Sequence, residues 1–117
     1  TMMYMKKHTG GCHCRSVRYE VETELEKVIT CNCSHCEQKG LLLTFVDKEK
    51  FKLLTGRNIL TEYQFNKKTI RHLFCRICGV ESFAEGVTFS KAAINVRCLD
   101  DIDLASLTIT PFNGKDL

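Results

Sequence analysis

The sequence predicts a mainly β domain with at most one or two short helices, and three observations carry that expectation. Its segments alternate apolar and polar residues with the period of two that a half-buried strand requires. They are rich in Val, Ile, Phe, Tyr and Thr and tend to end at Gly, Asn or Asp. The cysteines, eight in 117 residues, gather in short groups between such segments, so several loops are expected to converge on shared metal ions.

Thr1 ahead of Met2 reads as a remnant of processing, so fold reasoning starts after these two residues. In SVRYEVE (16–22), Val17, Tyr19 and Val21 share one face while Ser16, Arg18, Glu20 and Glu22 share the other, as in an antiparallel strand with one wet side. LLLTFVD (41–47), FKLLTG (51–56) and TEYQFN (61–66) read as short strands of the same kind. In TIRHLFC (69–75), Ile70, His72 and Phe74 align, and in AAINVRCLD (92–100), Ile94, Val96 and Cys98 align. The one helical candidate is DDIDLASL (100–107), with Asp100 or Asp101 as N-cap and Ile102, Leu104 and Leu107 on its apolar side. No internal repeat and no linker interrupts the chain, so residues 1–117 are expected to form a single domain.

Charge excludes some partners. Seventeen basic and fourteen acidic residues leave a net +3 without a run of like charge longer than a few positions, too weak a field for nucleic acid. No stretch of apolar residues is long enough to span a bilayer, and TMMYMKKHTG lacks the apolar centre of a secretory signal, which predicts a cytoplasmic protein without a membrane partner. Oligomeric state is not legible. The clustering of cysteines also disfavours a disulfide framework, whose cysteines join distant loops, and favours metal thiolates.

The groups are Cys12-x-Cys14, Cys31-x-Cys33-x-x-Cys36 and Cys75-x-x-Cys78, with Cys98 alone. Cys12 and Cys14 leave the same face of an extended chain and make half a site. Cys75 and Cys78, followed by Gly79, have the form of a zinc knuckle and make the other half. Three thiols then remain, and zinc with three protein ligands and an open position is the pattern of a catalytic site. Spacing does not force this division. Cys98 or one of His8, His13, His35 and His72 would also close the second site, and Cys31 with Cys33 would also complete Cys75 with Cys78.

GGCHCRSVRYE, CNCSHCEQKG, HLFCRICGVESF, INVRCLDD and PFNGKDL together resemble the glutathione-dependent formaldehyde-activating enzyme family, also called the centromere protein V family, from Gly10 onward. The resemblance implies a zinc-stapled β-sandwich of the β-tent kind with two Zn²⁺ per chain. It implies a structural zinc on Cys12, Cys14, Cys75 and Cys78 and a catalytic zinc on Cys31, Cys33 and Cys36. It further implies a carbon-sulfur lyase that forms S-hydroxymethylglutathione from glutathione and formaldehyde, or acts on a related thiol and aldehyde. Arg15 departs from the family, which commonly has glycine after the first Cys-x-Cys; either a left-handed turn there is strained or the backbone differs locally. The alternative function is a zinc-stabilised binding module without catalysis.

A tris-thiolate zinc suits an incoming thiol better than water, because zinc binds sulfur readily and a coordinated thiol is deprotonated. A substrate thiol is therefore the expected fourth ligand, and the resemblance implies that this small-molecule thiol is glutathione. His35, between two expected ligands, has the chemistry of a proton donor, but a solvated loop histidine is the plainer expectation. His72 is expected to be structural, His13 to have no role, Cys98 to be a small buried hydrophobe, and Phe45, Phe74 and Phe83 to be core. Lys39, Arg57, Arg71, Arg76 and Arg97 are potential carboxylate clamps, with solvated surface charge as the default.

Overall fold

The computed structural model describes residues 6–25, 27–65 and 69–113. Among these residues ten strands form two sheets: β1 (Lys6–Gly11), β2 (Arg18–Thr23), β3 (Val28–Cys31), β4 (Leu42–Asp47), β5 (Phe51–Thr55), β6 (Leu60–Tyr63), β7 (Ile70–Cys75), β8 (Phe83–Gly86), β9 (Lys91–Asn95) and β10 (Ile109–Phe112). One α-helix, α1 (Ser34–Lys39), separates β3 from β4. The smaller sheet has the order β1-β2-β5, and the larger β10-β3-β4-β9-β8-β7-β6. Pairing is antiparallel except between β10 and β3.

The mainly β expectation holds, and its cause is visible strand by strand. Val17, Tyr19 and Val21 are fully buried against Leu42, Val46, Leu73, Phe83 and Ile94 of the large sheet. Tyr19, Phe51 and Phe83 close the seam between sheets with ring centroids 4.7–5.7 Å apart, and each such pair contributes about 0.5–1.5 kcal/mol beyond burial. The Tyr19 hydroxyl donates to the Ser82 carbonyl at 2.9 Å. Burial pushes that phenol far above its usual pKa, keeping the proton it donates.

The large sheet is apolar on both faces. Along β4, Leu42 and Val46 enter the main core, while Leu43 lies on the opposite face beside Cys36, Leu41, Ala84 and Ala93. Phe45 follows Leu43 onto that outer face and is about half exposed, so it is not the core residue expected; Phe83 is. Phe74 is also outside the main core, beneath the Lys39 ammonium at 4.8 Å from its ring centre.

Three expectations about elements change. The helix at 100–107 does not form: Asp100 is taken by Arg18 and by the Thr9 hydroxyl, the latter at 2.7 Å, and Asp101 has a left-handed φ of 55°. Only a 3₁₀ turn, Leu104–Ser106, follows, capped by the Asp103 side chain. The strand at 92–100 stops at Asn95, whose side chain accepts from the Arg97 amide and turns the chain into a 3₁₀ turn at Val96–Cys98. The strand at 61–66 begins at Leu60 and ends at Tyr63; Asn66 lies outside the described residues, as do Thr1, Met2 and the final GKDL of the PFNGKDL motif.

Helix α1 had no counterpart in the sequence reading, which put these cysteines at strand ends and turns. Cys33 occupies the N-cap with extended backbone, its Sγ accepting from the Cys36 amide at 3.3 Å. Gly40 ends the helix in the left-handed region at φ 65°. Six residues are too few to be stable as an isolated helix, so α1 depends on what its side chains touch.

Candidate metal centres and the adjoining cavity

Cys12 and Cys14 lie in the turn after β1, and Cys75 and Cys78 where β7 ends. Their four Sγ atoms lie within 4.8 Å of one another. Two of the separations, Cys12 to Cys14 and Cys14 to Cys75, are 3.6 Å, close to the edge of about 3.8 Å in a tetrahedron with Zn–S bonds of about 2.3 Å. Backbone amides point at the sulfurs: Val17 at Cys12, and Ile77 and Cys78 at Cys75. Such donors favour thiolates. Burial pushes the Cys12 thiol up to about 11, whereas amides of Val80 and Cys14 overcome burial at Cys78 and bring it down to about 6.

Both turns place the residue after their second cysteine in the left-handed region, Arg15 at φ 68° and Gly79 at φ 81°. Each closes on the carbonyl of its first cysteine, Arg15 N to Cys12 O at 3.2 Å and Gly79 N to Cys75 O at 2.8 Å. Glycine adopts this conformation freely; Arg15 does so at a cost of about 1–2 kcal/mol.

Cys31 ends β3, Cys33 caps α1 and Cys36 lies in its first turn, so strand end and helix start bring three Sγ atoms within 4.8 Å. Among the described residues no fourth donor joins them. Burial raises the Cys36 thiol well above its ordinary range. At Cys33 the same effect is outweighed by hydrogen bonds from the Cys36 and His35 amides and the neighbouring thiols, which lower it. Cys98 joins neither group; it is partly buried in its 3₁₀ turn, and desolvation pushes it up to about 11.

A carboxyl group that the sequence reading missed lies beside the second cluster. Glu81, its side chain 3% exposed, places Oε1 3.2 Å from His35 Nε2 and 3.7 Å from Lys39 Nζ, and Oε2 3.4 Å from His72 Nδ1. The two imidazoles lie 4.0 Å apart, with Phe65 stacked against both. His35 is therefore on a helix and 10% exposed, not a solvated loop histidine, and burial lowers its pKa despite Glu81. Lys39 is likewise engaged. Arg57 and Arg71 face Glu85, Arg71 also faces Glu62, and Arg97 Nε donates to the Gly40 carbonyl at 3.2 Å. A glutamate inside VESFA, otherwise small or apolar, was the available signal.

The thiols of Cys31, Cys33 and Cys36 open into a cavity of about 340 Å³ that Glu81 and His72 also line. The model of the glutathione-dependent formaldehyde-activating enzyme family matches residues 7–112. The chain belongs to this family. Its fold is similar to the crystal structure of a Rhodobacter sphaeroides protein solved as a structural genomics target, with a TM-score of 0.81 and 28% identity over 89% of this chain and 99% of that one. Both cysteine clusters and Glu81 fall within the span matched to the formaldehyde-activating family, and the donor sets are compatible with zinc. No helix of the described residues is long and apolar enough to cross a membrane.

Proposed function

We propose that the protein is a zinc-dependent carbon-sulfur lyase acting on glutathione adducts of an aldehyde, with a structural zinc on Cys12, Cys14, Cys75 and Cys78 and a catalytic one on Cys31, Cys33 and Cys36. The observation that carries this reading is the second cluster: three converging thiols, no fourth protein donor among the described residues, and a cavity at their side. Zinc bound there would accept a substrate thiol as fourth ligand and supply it as thiolate at neutral pH.

The protein's own groups do the rest. The amides that point at Cys33 hold the site's negative charge, and the apolar cavity walls exclude water that would compete with the thiol. Glu81 and His72, paired at 3.4 Å within the cavity lining, are the groups positioned to hold or release a proton at the adduct oxygen. A purely structural second metal would require a fourth protein donor.

Exchange NMR of glutathione and its hydroxymethyl adduct at equilibrium tests the reading. The protein should accelerate exchange beyond the uncatalysed rate at matched thiol and pH. Replacing the glutathione sulfur by hydroxyl should abolish binding. Unchanged exchange in Cys33→Ser would refute the mechanism.

A further inference from the structure

The cavity beside Cys31, Cys33 and Cys36 does not match a one-carbon substrate. Its volume of about 340 Å³ is roughly ten times the share of one water molecule in the liquid, about 30 Å³. Its floor is a row of cross-strand neighbours on the outer face of the large sheet: Phe45 beside Ala93, Ala93 beside Ala84, Ala84 beside His72. The two alanines in the middle leave a trough between a phenyl wall and the His72–Glu81 pair. Apart from the thiols, only Thr69, His72 and Glu81 are polar among its described lining residues, and no lysine or arginine is among those described residues.

A second cleft, of about 410 Å³, shares Cys31, Cys36, Leu41 and Phe112 with the trough and adds, beside Gly40 and Pro111, the polar or charged Asn32, Glu37 and Arg97. The thiols thus stand on a boundary, with charge and hydrogen-bonding groups on one side and apolar surface on the other. A polar thiol such as glutathione fits the cleft and meets no cation among the described residues of the trough.

Resting on the lyase reading above, we propose that the carbonyl partner is an aldehyde with an apolar substituent several carbons long, seated in the Ala84–Ala93 trough. The thiol sulfur bonds to the carbonyl carbon while the C=O π pair moves to oxygen. The oxygen gains one proton and the thiol loses one, so RSH + R′CHO gives RS–CH(OH)R′ without oxidant or reductant. The substituent lies against Leu43, Phe45 and Ile70, and the oxygen faces the polar end at His72 and Glu81. Each methylene moved out of water should improve binding roughly threefold to fourfold until the trough is full.

Calorimetry on the zinc-loaded protein tests the trough without requiring turnover. S-hexylglutathione should bind at least about tenfold more tightly than S-methylglutathione, and Ala93→Leu should reduce that preference below about threefold. Zinc content and melting temperature check the variant's fold, and Ala84→Val is the second variant. Exchange NMR with hexanal and formaldehyde should give the larger kcat/KM for hexanal. Equal binding of the two thioethers by the wild type overturns the proposal, even if formaldehyde exchange is catalysed. A dimer broken by Phe45→Ser, with equal thioether binding, would also overturn it and make this face an interface between copies. Preference for the hexyl ligand without exchange of either aldehyde supports the trough and overturns the lyase reading.

Discussion

The two thiol clusters differ less in chemistry than in how the chain assembles them. The four-thiol cluster joins residues 61 apart in sequence, Cys14 and Cys75, and Cys12 and Cys75 belong to the main core between the sheets. The three-thiol cluster comes from six consecutive residues on the other face of the large sheet. A metal held by distant segments closes long loops and becomes part of the folding free energy. One held by a strand end and the next helix turn leaves the core intact when it departs. On the proposed reading, that difference separates a structural centre from one whose coordination is free to change.

The largest expected effect breaks the comparison if it fails. Cys75→Ser or Cys12→Ser should unfold the chain, because a structural zinc contributes roughly 10–16 kcal/mol, more than the whole stability of a typical domain. Cys33→Ser should lose one metal and keep its melting transition. Metal analysis with circular dichroism decides, and equal melting of the two classes would erase the distinction. Freshly purified protein should carry about two zinc ions per chain, with chelators removing one first.

The second effect is confined to the three-thiol side. Glu81→Gln removes the ionisable group facing His35, Lys39 and His72 while keeping its shape. Adduct exchange should fall by about 10²–10⁴, the range of a general acid or base, with both metals retained. A rate within a factor of about two of wild type would assign Glu81 a packing role.

A smaller effect sharpens the four-thiol side. Arg15→Gly should stabilise by up to about 1 kcal/mol, the left-handed strain less the extra freedom of glycine in the unfolded chain. Gly79→Ala should destabilise by about 1–2 kcal/mol, although open space surrounds its Cβ position, because its φ is 81°. Chemical denaturation with zinc in excess measures both. If the two substitutions shift stability in the same direction, the two turns are not equivalent.

The smallest effect concerns Asp100, which Arg18 and the Thr9 hydroxyl tie to the hairpin carrying Cys12. The Arg18 hydrogen bond, helped by Thr9, holds its carboxyl below the usual range. A depressed folded-state pKa contributes stability above the ordinary carboxylate value, lost as pH falls through the folded value. Asp100→Asn should therefore cost at most about 1 kcal/mol at neutral pH, since the pair is partly solvated, and the difference from wild type should vanish in acid. A difference that persists in acid would assign the loss to packing.

Alternation was legible because it is local: Val17, Tyr19 and Val21 face inward since successive side chains of a strand point to opposite sides. The Cys75-x-x-Cys78-Gly79 turn was legible for the same reason, its geometry being set by adjacent residues. What spacing left open was the partners of that turn, because Cys12 with Cys14 and Cys31 with Cys33 present the same local pattern. The fold resolves this ambiguity by setting the β1 turn against the end of β7 and sending Cys31 to the opposite face of the sheet. Burial of His35 and the partners of Glu81 were illegible too, since a six-residue helix carries almost no periodic signal and Glu81 acquires its partners only where α1 and β7 meet. Asp100 had the sequence of a helix cap, yet Arg18 and Thr9 took it, because tertiary hydrogen bonds outweigh the few tenths of a kcal/mol that separate local propensities. By itself the sequence determined six of the ten described strands, β2, β4, β5, β6, β7 and β9, together with the thiol groups and the sharp turns, all governed by neighbours a few residues apart. Only the tertiary structure decided which thiols meet, which acid is buried and where a cavity opens, because those depend on faces brought together by packing.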